Sequence, residues 1–369
     1  MKILVIHSND ISNYPPVKSL IENLNNNSHD ITVIARDENG ILNEINPNIH
    51  QFLLNSYTGD SKKDSIIYLK NKILIKKYSK ELIKSSDIVW TTTSETVREV
   101  GNELLNCDHH VMQMMELIQY EPLIPFQNIL KFNIKKYAKH AWKVVVPEIN
   151  RAYIQKVWWQ LEKLPIVLPN KPYSLPCGDM PEELVPYVNA IKNDKKTKVL
   201  YQGVFFADRN LEQVAQAIEK NSDKYSLYIM GHKNEYCDSL CKRHPIIQYI
   251  PFTRPPYHML ITQEADIGLL PYVPQKVYNT SVLNALYCAP NKIFEYAACK
   301  LPMVGSDVLG LKYPFEKYNI GVCCNDKDVN ELIDAFNYIN NNLTTMKENC
   351  MNFYNSIDLD EIVQSILYN

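Results

Sequence analysis

Short apolar runs rich in Ile, Val and Leu alternate with longer segments of helical periodicity from one end of the chain to the other. Residues 2–7, 30–34, 87–91, 111–114, 143–146 and 165–168 predict the strands of a first sheet, with helices such as 17–25 and 65–85 between them. Residues 199–201, 226–230, 246–249, 267–270, 303–305 and 321–323 predict a second sheet, with helices such as 211–220. Between the two series Pro165, Pro169, Pro172, Pro176, Pro181 and Pro186 lie close together and mark an interdomain connection. Two such series imply an α/β chain of two doubly wound, Rossmann-like parallel sheets. Ligands of such sheets bind at the carboxyl ends of the strands, so the active site is expected in a cleft between the domains.

A chain of 369 residues with 46% hydrophobic side chains is large enough for two sizeable cores. The first apolar segment, residues 3–6, is too short for a signal-peptide core, and later runs meet Lys, Asp or Pro before reaching bilayer length. A cytoplasmic protein is expected. Nine cysteines, odd in number and scattered through apolar segments, are expected to be reduced thiols.

Charge is nearly balanced, at 39 basic against 41 acidic side chains, which argues against a general nucleic-acid binder. Positive charge is concentrated in the first half. Lys62, Lys63, Lys70, Lys72, Lys76, Lys77, Lys80 and Lys84 are interleaved with Ile66, Leu69, Ile73 and other apolar residues. This pattern predicts a basic amphipathic helix, which either lies on an anionic membrane surface or is an outer helix with its lysines in water. A weaker cluster combines Lys131, Lys135, Lys136, Lys139 and Lys143 with Phe132, Tyr137 and Trp142.

The segment from Leu286 to Asp307 carries the most chemistry. Pro290 and Asn291 signal a turn opening a helix, Ile293, Phe294, Ala297 and Ala298 form its apolar face, and Glu295 lies off that face. Lys300 to Pro302 ends the helix before the strand at 303–305. A carboxylate there can accept both hydroxyls of a ribose, while backbone amides of the preceding turn and a nearby cation meet a diphosphate. The alternative is a solvated glutamate paired with Lys292 or Lys300.

Pro290-Asn-Lys-Ile-Phe-Glu-Tyr-Ala-Ala-Cys-Lys-Leu-Pro302 resembles the signature of the retaining glycosyltransferases of family 4, which have the two-domain GT-B fold. Further similarities follow in the family's order: Met1 to His7 with the first strand, Val145 to Pro147 and Pro165 to Asn170 with the exit from the first domain, Val199 to Gly203 with the opening of the second, and Ala265 to Pro271 with the strand before the donor site. The resemblance implies an acceptor-binding domain at 1–168, rejoined by a C-terminal helix at 355–369, and a nucleotide-sugar-binding domain at 169–354. It implies sugar transfer from a UDP- or GDP-sugar to a glycan, with retention of anomeric configuration.

Carried over residue by residue, the donor site comprises Gly203, Arg209, Phe252, Thr253, Asn291, Lys292, Ile293 and Glu295. Arg209 near a helix start and Lys292 supply the diphosphate cations, and Glu295 the ribose contact. Family members place an arginine directly after the glycine, where this chain has Val204, and a second glutamate where it has Tyr287. The surface alternative pairs Arg209 with Asp208 or Glu212. The loop from Gln275 to Asn284 is expected to line the sugar pocket. On the acceptor side the candidates are His7, Thr92 and Glu116, the last also a candidate catalytic group; His7 can equally be a buried histidine bonded to backbone. Gln113 and Met115 stand where many relatives have an aspartate and a histidine.

His232, Cys237, Cys241 and His244 are four soft ligands, but the cysteines fall four apart on a helix rather than on a zinc knuckle. No Asp-x-Asp motif presents two carboxylates to a metal-bound diphosphate. A metal-independent enzyme without a cofactor is expected, its partners a nucleotide-sugar and a glycan acceptor, lipid-linked in a surface-polysaccharide pathway if the lysine-rich helix meets a membrane. A nucleotide-sugar epimerase and a non-catalytic GT-B partner subunit are the other readings.

Overall fold

The computed structural model describes residues 1–124, 127–175, 180–205, 209, 211–275 and 281–368. The chain divides into two compact units. The first comprises Met1–Ser174 and Asp358–Asn369 with a short segment ending at Asn284; the second comprises Leu175–Gln275 and Ala285–Ile357. Pro176, in the expected connection, lies outside the described residues.

In the first unit, β1 (Lys2–Asp10), β2 (Asp30–Arg36), β3 (His50–Leu53), β4 (Ile88–Thr91), β5 (His110–Gln113), β8 (Lys143–Val146) and β9 (Ile166–Val167) form one sheet in the order β3-β2-β1-β4-β5-β8-β9. Every neighbouring pair is parallel. Ile3, Leu4, Val5 and Ile6 are all buried, so both faces of β1 are covered and the strand reads as a continuous apolar run. Two elements escaped the apolar pattern. The edge strand β3 has no fully buried residue, and β6 (Glu121–Ile124) with β7 (Gln127–Phe132) forms a separate antiparallel hairpin.

Helix starts follow local chemistry. Asp60 caps the Ser61–Leu82 helix by accepting from the amides of Lys62 and Lys63, and Thr93 caps Ser94–Val100 through the amide of Thr96. The last helix, Leu359–Tyr368, packs within this first unit: Asp360 Oδ1 accepts from the side-chain amides of Asn23 and Asn27, each at 2.8 Å. Lys143 Nζ donates to the carbonyl of Ile366 at 2.8 Å, placing a cation at that helix's negative end.

The second unit carries β10 (Thr197–Gln202), β11 (Tyr225–Gly231), β12 (Ile247–Pro251), β13 (Ile267–Leu270), β14 (Met303–Ser306) and β15 (Gly321–Cys324). Their order is β12-β11-β10-β13-β14-β15, again all parallel. Leu200, Tyr228, Met230 and Leu270 join the core on one face, while Val199, Tyr201, Leu227 and Leu269 join that on the other. In both sheets strand order reverses beside the opening strand, at β1/β4 and at β10/β13. Such a switch point leaves a crevice at the carboxyl ends, the default ligand site of open α/β sheets. Among the described residues no helix is long and apolar enough to cross a membrane.

Candidate functional site

At the switch point of the second unit, β10 ends in Gln202 and the chain turns at Gly203 with φ +136°. A Cβ at Gly203 would lie 2.9 Å from Lys292 Cε and 3.0 Å from its Nζ, so the ammonium rests against bare backbone. Lys292 belongs to the helix Asn291–Ala298. One turn further, Glu295 is only 8% exposed, against the alternative of a solvated glutamate. Gln202 Nε2 donates to Glu295 Oε2 at 2.7 Å, and His258 Nε2 lies 3.4 Å from the same oxygen. Gln202 is itself oriented, its Oε1 accepting from Thr262 Oγ1 at 2.6 Å. Tyr296, buried beneath, accepts from the Gln202 amide at 3.2 Å, so consecutive residues of the helix grip the strand end.

Burial alone would raise the Glu295 carboxyl; His258, Lys292 and the Gln202 amide outweigh it and hold the carboxyl below its ordinary value, ionised at neutral pH. Lys292 is lowered by burial and by Arg209, with Glu295 opposing. Glu295 and Lys292 therefore share the carboxyl end of β10. Arg209 lies over the Tyr272 ring, 4.7 Å from its centroid, with Nη1 3.5 Å from the carbonyl of Pro271, just past β13. Asp208, one of its expected surface partners, lies outside the described residues. Glu212, the other, bonds to Arg243 and His244 instead.

The helix carrying Lys292 starts at Pro290 without a side-chain cap. The Ile293 amide donates to the Pro290 carbonyl at 3.3 Å and its side chain is buried, whereas the Asn291 and Lys292 amides open the first turn, where the chain itself offers no intrahelical acceptor. Phe252 is half-exposed and stacks on His232, with centroids 3.9 Å apart and planes inclined by 16°. The two rings follow β12 and β11, the latter adjoining β10 in the sheet. Thr253 Oγ1 donates to the Pro251 carbonyl at 3.4 Å. Residues 276–280 of the expected sugar-pocket loop lie outside the described residues.

The first unit has its own switch-point cluster. His7 and Thr92 are fully buried and meet at 2.8 Å, Nδ1 to Oγ1. Burial, then the charge of Arg36, lowers His7 to about 3, so the imidazole is neutral. Tyr14 packs edge-on against it at 4.5 Å and is raised to about 12 by burial, then by Glu95 and Glu116. Glu116 is exposed and accepts from Asn284 Nδ2 at 2.7 Å, while the Leu117 amide donates to Asn284 Oδ1 at 2.9 Å. Gln113 accepts from Trp90 Nε1 at 2.9 Å, and Met115 is buried.

Among the described residues the four soft ligands do not form a metal-holding group. His244 sits between Glu212 and Glu219, at 2.7 and 2.9 Å, His232 stacks on Phe252, and Cys237 is buried in the core.

Sequence reasoning missed Gln202, His258, Thr262 and Tyr296. A polar residue closing the apolar run before Gly203 was a usable signal for Gln202; nothing local marks His258 or Thr262, which reach the site only through the fold.

No family model matches the sequence, and no curated protein matches it either. Solved structures do. A glycosyltransferase from Rickettsia africae ESF-5 is similar over 100% of this chain and 99% of its own, with TM-score 0.68 and 14% identity. Anabaena Alr3699/HepE, solved in complex with UDP and glucose, is similar over 99% and 98%, with TM-score 0.69 and 12% identity. Sucrose-phosphate synthase from Thermosynechococcus elongatus is similar over 100% and 95%, with TM-score 0.63 and 16% identity. At these identities the likeness bears on architecture alone, and the architecture is that of the GT-B glycosyltransferases: two α/β units, each with a parallel sheet.

Proposed function

We propose that this chain is a glycosyltransferase that takes a sugar from a UDP- or GDP-sugar held at the carboxyl end of β10. The observation that carries this reading is Glu295 bonded to Gln202 and Lys292 resting against Gly203 at the end of β10, beside an uncapped helix start, with Arg209 at the end of the adjoining β13. An ionised, oriented carboxylate suits a ribose diol, and two cations with helix amides suit a diphosphate. The Phe252–His232 pair offers a ring face to the base. Positive charge at the diphosphate stabilises the leaving group as the glycosidic bond breaks, without requiring a metal. Retention of configuration and membership of family 4 rest on the resemblance of the Pro290–Pro302 segment. The acceptor, on this reading a glycan, falls to the first unit, where Glu116, His7 and Thr92 are the candidates. His7, neutral and buried, serves there as a hydrogen-bonding support rather than as a base.

The test is incubation of the full chain with a panel of UDP- and GDP-sugars, following nucleotide release and sugar identity. Slow hydrolysis to free nucleoside diphosphate supports a transferase. Interconversion of the sugar would make the chain an epimerase, and absence of binding to every nucleotide would leave only a non-catalytic subunit.

A further inference from the structure

The Ser61–Leu82 helix buries only Asn71, Ile75 and Ser79, and its inner side packs Leu74, Tyr78 and Leu82 against the core of the first unit. Its outward side is unusual. Ile66, Leu69 and Ile73 are 56%, 59% and 67% exposed, and at spacings of three and four they form one continuous stripe. Lys62, Lys63, Lys70, Lys76, Lys77 and Lys80, all exposed, surround that stripe. Of the two acidic residues in the helix, Asp64 is occupied by the Thr58 and Gly59 amides, leaving Glu81 alone facing solvent.

The second lysine cluster behaves differently. Lys143 caps the last helix, Lys135 donates to Gln160, Lys131 lies over Tyr120, and Phe132 stacks on Tyr137. Those groups are committed inside the unit. None of the six lysines around the stripe makes an ion pair among the described residues.

We propose that the outward face of the Ser61–Leu82 helix docks on an anionic lipid bilayer. The apolar stripe enters the boundary between headgroups and acyl chains, and the lysines meet lipid phosphates on either side. Charge selects this occupant. Pairing with a second copy would set lysine rows against each other, and a nucleic acid would leave the stripe in contact with charged backbone. The docking stands on its own observations and does not rest on the donor site. If both hold, the sugar acceptor is a lipid-borne one presented at the membrane surface.

The experiment is co-sedimentation of the full chain with vesicles of phosphatidylcholine alone or mixed with phosphatidylglycerol. Binding is expected to the mixed vesicles and to fall steeply with added salt. Each Lys→Glu change at Lys70 or Lys77 should weaken it by roughly fivefold or more. Ile66→Ser with Leu69→Ser and Ile73→Ser should abolish it while leaving the circular dichroism and nucleotide binding unchanged, since these side chains are already in water. Absence of vesicle binding would overturn the proposal, as would binding that the triple serine variant retains. A dimer dissolved by that variant, without vesicle binding, would reassign the face to self-association. Loss of nucleotide-sugar turnover with docking intact would instead count against the donor reading.

Discussion

Gln202 and Glu295 are ninety-three residues apart in the chain and 2.7 Å apart in the fold. One closes β10, the other lies in the helix that precedes β14, and their bond ties the strand end to the helix that carries Lys292. The amide does more than satisfy a buried carboxylate. With Thr262 holding its other end, it fixes which oxygen of Glu295 is occupied.

Removing that carboxylate should weaken nucleotide binding. Glu295→Ala forfeits charge-assisted hydrogen bonds of about 1.5–3 kcal/mol each, so UDP or GDP affinity should fall at least about tenfold. Gln202→Leu should give a smaller loss, because the carboxylate remains but is less well oriented. Isothermal titration of both variants decides; affinity unchanged in Glu295→Ala removes the ribose assignment.

Gly203→Ala combines a positive φ with a methyl group pressed to 2.9 Å from Lys292 Cε. Backbone strain of this kind costs about 1–3 kcal/mol, and the lysine must move to admit the methyl. The melting temperature should drop, and diphosphate affinity should drop with it, whereas nucleoside binding without phosphates should change little. Equal losses for UDP and uridine, or for GDP and guanosine, would show that Lys292 is not the group displaced.

Arg98 lies between two buried glutamates, bonded to Glu121 and 3.5 Å from Glu99. Burial raises both carboxyls to about 7. At Glu99 the charge of Arg98 opposes this and Glu95 adds to it; at Glu121 Glu95 adds to it while Ser94 and Arg98 oppose. A folded value above the unfolded 4.5 means that the native state binds more protons in between. Stability should therefore decline as pH rises from 4.5 through 7. Arg98→Leu leaves buried carboxylates without their cation and should cost about 3–5 kcal/mol by urea unfolding at neutral pH, and less in acid.

His244 is shifted upward for a different reason. Burial would lower it, but Glu212 and Glu219 clasp both ring nitrogens and raise it above 6.5. Its contribution is complete below 6.5 and is lost as pH rises through the folded value. His244→Gln should flatten the loss of stability above pH 6.5, measured as the urea midpoint at successive pH values. A wild-type midpoint that does not change across that range would show that the clasp contributes nothing.

Much of the architecture was legible because parallel strands buried on both faces leave uninterrupted apolar runs. The bounds of β8 and β13 fall at residues 143–146 and 267–270, the same runs that the apolar pattern predicts. The edge strand β3 was not legible, since no residue of it is fully buried, and the apolar pattern did not mark the β6–β7 hairpin. At the site, Lys292 and Glu295 were readable from one contiguous motif, and Arg209 from the loop after a strand. The clamp of His258 and Thr262 was not, because a side chain that meets its partner across a sheet leaves no spacing to count. Helical periodicity likewise reports one apolar face and is blind to a polar group such as Glu295 lodged against a distant strand end.

The first unit is finished by a helix that comes from the far end of the chain, with Asp360 gripping Asn23 across 337 residues. During synthesis the opening strands must wait for nearly the whole polypeptide before that groove is filled, while the second unit can assemble from a shorter stretch in between. Folding order should thus run against sequence order, and a fragment ending at Ser174 should leave an unsealed flank on the Pro15–Asn26 helix, seen as rapid amide exchange there that an added peptide of residues 358–369 slows.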